Sequence, residues 1–278
     1  MDVRSVVRTT RGIQTSDGAG VRLRRLMGGG GAVPSIDPFL MLDFFDTPNA
    51  SDYIAGFPEH PHRGFETVTY MLNGRMRHRD NHGGEGVIEP GGVQWMTAGR
   101  GVVHSEMPEQ TEGLMRGFQL WVNLPARLKM TAPAYQEHGA ERIPVEEREA
   151  GVRVKVIAGE TALGTRGPIS AEATQPIYFD IELPQDAEFI EPVAADRSVL
   201  VVIHAGQVDV AGQVIEAVGL SQLGAGDTVR LRAVGGPARA LLIAGKPLNE
   251  AVAWYGPFVM NTHAEIVQAI EEYQAGRF

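Results

Sequence analysis

The sequence predicts an all-β protein made of two small antiparallel barrels in tandem, followed by a short C-terminal helix. Segments of strand length recur along the 278 residues and are separated by turns, in a chain with 34 Gly and 17 Pro. The two halves of the chain repeat one order of strand and glycine turn, which indicates a duplicated barrel. Only the last residues have the apolar spacing of an amphipathic helix.

The first fifty residues read as strands and loops. Residues 21–26 alternate in polarity, and the four consecutive glycines at 28–31 predict a turn or loop. That run lacks the Lys-Ser/Thr of a phosphate-binding loop and no helical pattern follows it. Residues 37–46 predict a buried strand with acidic ends.

A hairpin is predicted next. Residues 67–72 are mainly β-branched and aromatic, and they run into an Asn-Gly pair that is typical of tight turns. A second strand, residues 93–97, follows a Pro-Gly-Gly turn. His78 and His82 lie between these strands in a polar segment, and we expect both to be exposed to solvent.

Residues 117–125 alternate, which places Gln119 and Trp121 on one face of a strand, where they line a pocket or simply pack in the sheet. The charged stretch that follows, with two prolines, is interpreted as a connection between domains. The predicted domains are residues 1–130 and 131–278.

The second half repeats the plan without its histidine pairs. Residues 199–208 again form a strand that runs into a glycine turn, and residues 224–231 repeat the later Gly-rich turn and strand. The chain then ends in a predicted helix, for which Thr262 and Glu265 form a capping box.

Composition limits the classes of function. The net charge of −9 argues against direct binding to nucleic acid, because phosphate contacts need a basic surface. The absence of cysteine excludes disulfides and thiolate sites, which leaves histidine and carboxylates as ligand chemistry. The N-terminus has no secretory pattern and the apolar runs are of strand length, so we expect a cytoplasmic protein without a membrane partner.

Two pairs of potential metal ligands stand out. His60 and His62 are two positions apart, as are His104 and Glu106, so each pair projects to one face of a strand. Three imidazoles and a carboxylate make a plausible site for a divalent metal. Glu66 shares the parity of the first pair and is an alternative source of the carboxylate.

Four segments resemble the pirin family, which belongs to the cupin superfamily. They are residues 60–70 (HPHRGFETVTY), 94–101 (QWMTAGRG), 104–108 (HSEMP) and 256–262 (GPFVMNT). The resemblance implies two tandem cupin barrels of the jelly-roll type. The first, residues 1–130, is expected to bind metal, and the second, residues 131–278, is expected to lack a metal site.

The resemblance also implies a ligand set. It favours His60, His62, His104 and Glu106 as ligands of one divalent metal ion, with Glu66 orienting one of the histidines. It favours Fe(II), while Mn, Co, Ni, Cu and Zn fit the same nitrogen and oxygen donors.

Four residues are candidates for the substrate pocket: Phe57, Arg63, Glu66 and Gln119. Each has a plainer interpretation as well. Arg63 binds an anionic or phenolic substrate or makes a surface ion pair, and Phe57 forms a wall of the pocket or packs at its rim. The sequence does not choose between these alternatives.

Two functions follow from the resemblance. The first is a quercetin 2,3-dioxygenase-type activity, in which a flavonol is cleaved with O2, carbon monoxide is released, and Glu106 or Glu66 is the general base. The second is a metal- or redox-dependent regulator without enzymatic activity, which binds a transcription factor or a metabolic enzyme. The same ligands serve both.

Overall fold

The computed structural model describes residues 1–29 and 33–278, so the end of the predicted glycine loop lies outside the described residues. The chain forms two compact units. We call residues 13–140 with 248–278 the first barrel, and residues 1–12 with 141–247 the second barrel. The predicted all-β class with two barrels and a short C-terminal helix is confirmed.

The strands of the first half of the chain are β1 (Val6–Thr10), β2 (Ile13–Asp17), β3 (Val21–Met27), β4 (Phe39–Thr47), β5 (Phe57–His62), β6 (Phe65–Asn73), β7 (Met76–Asp80), β8 (Glu85–Ile88), β9 (Val93–Thr97), β10 (Val102–Pro108), β11 (Met115–Asn123) and β12 (Ala134–His138). The elements of the second half are β13 (Val145–Glu147), β14 (Arg153–Ala158), β15 (Ile177–Leu183), β16 (Glu188–Pro192), β17 (Ser198–Ala205), β18 (Gln207–Val210), β19 (Gln213–Glu216), β20 (Gly219–Leu223), β21 (Thr228–Ala233), β22 (Ala238–Gly245), β23 (Ala253–Tyr255), β24 (Phe258–Met260) and helix α1 (His263–Gln274).

The two barrels have the same sheet plan. The first combines a seven-stranded sheet, in the order β12-β9-β6-β11-β4-β3-β2, with a four-stranded sheet, β5-β10-β7-β8. The second combines β1-β20-β17-β22-β15-β14-β13 with β16-β21-β18-β19. The strands therefore correspond one to one, which agrees with the duplication that the sequence predicts.

The compact units differ from the predicted contiguous domains. β1, at the N-terminus, pairs with β20 in the second barrel, and β12 pairs with β9 in the first. The stretch read as a connection thus supplies an edge strand to the first barrel. The C-terminal residues, from Leu248 onward, also pack in the first barrel. Sequence order alone contains no signal for such long-range pairing.

The C-terminal segment is fastened to the turn after β5. Gly64 has a φ of 87°, and a Cβ there would lie 2.0 Å from the carbonyl oxygen of Val259, so only glycine fits this approach. Lys129 Nζ donates to the carbonyl oxygens of Gly64 (2.8 Å) and Val259 (2.9 Å) and to Asn123 Oδ1 (2.7 Å). Helix α1 follows, and its predicted capping box of Thr262 and Glu265 is confirmed.

Within the described residues, the helices lack either the length or the hydropathy that a bilayer-spanning segment requires.

Candidate metal centre

Three histidines meet where β5 and β10 run side by side. In this antiparallel pair His104 is the register partner of His60, and Val102 is the partner of His62. Alternation along both strands turns the three imidazoles to one face. One ring nitrogen from each histidine lies within 4.8 Å of the others. The predicted grouping of these three side chains is present in the structure.

The hydrogen bonds leave ring nitrogens available as ligands. His60 Nδ1 donates to the carbonyl oxygen of Pro58 (2.7 Å), which leaves Nε2 with its lone pair. The His62 ring bonds to the carbonyl oxygen of Pro257, while its Nδ1 is buried without a partner. Both ring nitrogens of His104 are buried without a partner. Unsatisfied buried nitrogens are costly, and a bound cation would satisfy them.

The electrostatics also suit a cation. Burial lowers the pKa of His62 and of His104 well below the ordinary value, and the neighbouring imidazoles lower both further. The two rings are therefore neutral at physiological pH, which is the state that binds metals. The His60, His62 and His104 triad can hold a divalent metal ion.

Glu106 lies on the same face of β10 but is not among the mutually close ligand atoms. Its Oε1 accepts from the Thr69 hydroxyl (2.8 Å), and its Oε2 accepts from Gln119 Nε2 (3.0 Å). Burial raises the pKa of this carboxyl, opposed by His60 and by the bond from Thr69. A carboxylate offers about four lone-pair positions, so two accepted bonds leave room for a metal or a proton.

Glu66 faces the other way. It lies three positions before Thr69 on β6, and alternation turns odd and even residues to opposite faces of a strand. Its Oε1 accepts from the Thr97 hydroxyl (2.7 Å), and it does not line the cavity beside the triad. The shared parity with His62 fails as a guide because Gly64 kinks the chain between them.

A cavity of about 1160 Å³ opens beside the triad, entirely within the first barrel. Two of the four candidate pocket residues, Phe57 and Gln119, line it. Trp121 also lines it, with its ring 5.1 Å from that of His62 and 4.4 Å from that of Phe65. The cavity thus has polar groups near the triad and aromatic walls.

Arg63 lies outside the cavity lining and is only 2% exposed. Its Nη2 is 2.7 Å from Glu272 Oε2 on α1, and its Nε donates to the carbonyl oxygen of Arg100 (2.5 Å). The guanidinium also stacks over the Phe278 ring at 4.2 Å. Arg63 therefore makes a buried ion pair with the C-terminal helix, because the β5–β6 turn directs it there.

The expectation that His78 is exposed to solvent is wrong. His78 belongs to β7, is 5% exposed, and its Nε2 bonds to Glu137 Oε2 (2.6 Å). The polar sequence misled because alternate residues of β7 still turn inward. His82 is exposed, as expected.

Sequence reasoning missed several residues of the cavity. Trp254 and Pro257 line it from the C-terminal segment, far away in sequence. Arg25 and Asp43 line it as well, and they pair through two hydrogen bonds. A carboxylate in the middle of the apolar run of β4 was a signal that could have identified Asp43, because such a group needs a partner.

Two family models match the chain. Residues 20–122 match the model described as Pirin, and residues 178–278 match the Pirin C-terminal cupin domain. Together they span most of the residues of both barrels.

Named relatives agree with these models. A Pirin-like protein from Caulobacter vibrioides is 59% identical, and the match covers 100% of both chains. A protein from Pseudomonas aeruginosa, provisionally named quercetin 2,3-dioxygenase, is 49% identical over 98% of this chain and 97% of its own. A crystal structure of quercetin 2,3-dioxygenase from Acinetobacter baumannii is 34% identical, covers 99% of this chain and 98% of its own, and has a TM-score of 0.89.

Proposed function

The chain belongs to the pirin family, and from this premise we propose that it is an Fe(II)-dependent dioxygenase of the quercetin 2,3-dioxygenase type. The observation that supports the proposal is the histidine triad beside a large, aromatic-walled cavity. His60, His62, His104 and Glu106 are the proposed ligands. We infer a cytoplasmic location, where reducing conditions keep iron divalent.

The proposed reaction breaks the two carbon–carbon bonds that flank the carbon bearing the flavonol 3-hydroxyl. That carbon leaves as carbon monoxide, and both atoms of O2 enter the remaining ester product, so atoms balance. A bound divalent metal supplies a positive centre for the deprotonated hydroxyl and a path for electrons from the flavonolate to O2. The chain supplies proton transfer, orientation and exclusion of water.

Glu106 is the proposed general base. It accepts the proton of the 3-hydroxyl, and burial, which raises the pKa of its carboxyl, makes it a stronger base. Thr69 and Gln119 fix its two oxygens from neighbouring strands, so the carboxylate has a defined direction before the substrate arrives. Proton transfer of this kind contributes about 10²- to 10⁴-fold to a rate.

The aromatic walls orient a planar substrate. Trp121 packs on Phe65 and lies 5.9 Å from Trp254, and Phe57 lines another side of the cavity. Flat apolar surfaces suit fused aromatic rings, and they exclude the water that would compete for the cation.

The test is anaerobic loading with Fe(II), followed by measurement of O2 uptake and carbon monoxide release with quercetin. Glu106→Gln should lower kcat about 10²- to 10⁴-fold. Glu66→Gln is the matched control, because Glu66 is also a buried carboxyl of the first barrel but lies on β6 of the large sheet and does not line the cavity. It should keep turnover within a few-fold.

Tight iron binding without carbon monoxide release would contradict the dioxygenase. It would favour the regulatory alternative, in which the oxidation state of the metal controls binding to a transcription factor or a metabolic enzyme. Loss of turnover in Glu66→Gln with retention in Glu106→Gln would exchange the roles of the two carboxyls.

A further inference from the structure

Polar side chains form a row across the inner face of the large sheet in the first barrel. Cross-strand register aligns one residue from each of six neighbouring strands. In strand order these residues are Glu137, Gln94, Thr69, Gln119, Asp43 and Arg25. The middle of the row, Thr69 and Gln119, holds Glu106. The role of its Arg25 end is not explained by metal binding.

At the Arg25 end of the row, Arg25, Asp43 and Asp17 form a hydrogen-bonded cluster in the cavity wall. Arg25 Nε and Nη2 donate to the two oxygens of Asp43 (2.9 and 2.7 Å), and Nη2 also donates to Asp17 (2.8 Å). The side chains of Asp43 and Arg25 are 3% and 12% exposed. All three residues line the same cavity as the triad. Among the residues that the structure describes, Nη1 makes only a long contact with the Gly29 carbonyl oxygen (3.5 Å), which leaves it donor capacity towards a ligand.

The position of this group fits the far end of a substrate. Arg25 is two strands away from Gln119, which is roughly 10 Å at the usual strand spacing. Gln119 touches Glu106 at the metal end, and Asp43 lies on the strand between Gln119 and Arg25. The polar row therefore runs from the metal end through Asp43 to Arg25, and the distance of about 10 Å from Gln119 to Arg25 is the span of two linked aromatic rings. Apolar side chains such as Leu23, Met41 and Trp121 line the same cavity.

The charges of the two ends are opposite. One guanidinium faces two carboxylates, Asp43 and Asp17, at the far end. The far end therefore has an excess of negative charge, whereas a divalent cation with Glu106 leaves the metal end positive. A neutral hydroxyl donates to Asp43 or Asp17 and accepts from Arg25, but a carboxylate there is repelled.

We propose that Arg25, Asp43 and Asp17 form a recognition site for neutral hydroxyl groups at the end of the substrate away from the metal. The inference rests on the proposed function and specifies its substrate class: a hydroxylated planar aromatic molecule, with its one anionic oxygen at the metal. The three residues determine specificity and take no part in proton transfer.

The test measures binding rather than turnover. The Zn(II)-loaded protein is titrated without O2, and quenching of tryptophan fluorescence reports binding because Trp121 and Trp254 line the cavity. Three ligands are compared: quercetin, 3-hydroxyflavone without other hydroxyls, and 3-hydroxyflavone with a carboxylate on each terminal ring. Quercetin should bind about tenfold more tightly than 3-hydroxyflavone, and the dicarboxylate more weakly than both.

Substitutions of Asp17 and Asp43 test whether these two residues cause the differences in ligand affinity. Asp17→Asn, at a half-exposed side chain that can be changed without burial effects, should improve binding of the dicarboxylate about threefold or more. Asp43→Asn should reduce the preference for quercetin over 3-hydroxyflavone. Asp46→Asn is the matched control, because it lies on the same strand, pairs with Arg116 and does not line the cavity.

Equal affinities of the wild type for the three ligands would overturn the recognition site, as would Asp17→Asn and Asp43→Asn variants whose affinity ratios among the three ligands equal those of the wild type. These results are independent of turnover. A protein that discriminates as expected but releases no carbon monoxide would retain the recognition site and lose the dioxygenase. A protein that cleaves quercetin but does not discriminate would do the reverse.

Discussion

The two barrels share one plan of strands and differ in what fills them. In the first, the small sheet turns His60, His62, His104 and Glu106 inward from β5 and β10. In the second, the corresponding strands β16 and β21 turn apolar side chains inward, among them Phe189, Val229, Leu231 and Ala233. The same backbone plan thus occurs with and without the histidine triad, and the difference between the barrels at these strands lies in their side chains.

The large sheets show the same contrast. The row Arg25, Asp43, Gln119 and Thr69 crosses β3, β4, β11 and β6. The row across the corresponding strands of the second barrel is Val156, Phe179, Leu242 and Val201, each fully buried in one apolar cluster. The second barrel thus has an apolar row where the first has a row of polar side chains turned inward.

The largest expected effect is on metal affinity, and it compares a buried histidine of the first barrel with a buried histidine of the second. His62→Ala removes one of the four proposed ligands, so we expect metal affinity to fall on the order of 100-fold or more and turnover to be lost. His204, buried on β17 of the second barrel, is the control, because it is a buried histidine outside the proposed ligand set. His204→Ala should leave the metal content unchanged, as measured by elemental analysis of the purified protein. Metal loss in both variants would mean that the second barrel also contributes to metal binding.

The next effect concerns the two rows. Leu242→Ala creates a cavity in the apolar core and should reduce the free energy of unfolding by about 2–5 kcal/mol. Gln119→Leu, at the corresponding strand of the first barrel, removes the donor that holds Glu106 and should lower kcat with a smaller loss of stability. Urea denaturation and carbon monoxide release measure the two quantities. The difference between the two rows is refuted if Gln119→Leu, like Leu242→Ala, lowers the free energy of unfolding and leaves kcat unchanged.

Much of the fold can be predicted from the sequence because it depends on patterns of neighbouring residues. The Asn-Gly turn after β6, the alternation of β11 and the capping box of α1 each depend on neighbouring residues, and each is confirmed. The exchange of edge strands is different. β1 joins the second barrel and β12 the first through pairings between distant segments, for which a single sequence has no periodicity.

The candidate site divides in the same way. The spacing of His60 and His62 on one strand placed both imidazoles in the triad, since strand alternation is local. Arg63 was not predictable, because its partner Glu272 lies on a helix from the other end of the chain. Asp43 and Arg25 were missed because their pairing depends on the register between β3 and β4.

A third effect concerns stability and the buried Lys129, which donates hydrogen bonds both to the turn after β5 and to the C-terminal segment. Lys129→Met leaves three acceptors without their donor and should cost about 3 kcal/mol of stability at neutral pH. Burial lowers the pKa of Lys129 to about 8, below the value of about 10.4 in an unfolded chain. Between these values the unfolded chain binds more protons than the folded one, so wild-type stability rises with pH.

The measurement for Lys129 is the difference in unfolding free energy between the wild type and Lys129→Met. It should grow from pH 8 to pH 10. Lys246→Met, at an exposed lysine of the second barrel, is the control. A difference that shrinks over this range would contradict a lowered pKa.

The smallest expected effect concerns the ion pair between Arg63, in the turn after β5, and Glu272 on helix α1, a helix that belongs to the first barrel. Glu272→Gln weakens the contact with Arg63, and we expect a loss of about 1 kcal/mol in unfolding free energy, because Arg63 is buried but Glu272 is partly exposed. Glu271→Gln, at the exposed neighbouring position on the helix, should change less. Calorimetry measures metal affinity, which should stay within twofold of the wild type, since Arg63 does not line the cavity. A large loss of metal affinity in Glu272→Gln alone would mean that the C-terminal helix positions the triad through Arg63, and the metal centre would then depend on an element that the second barrel lacks.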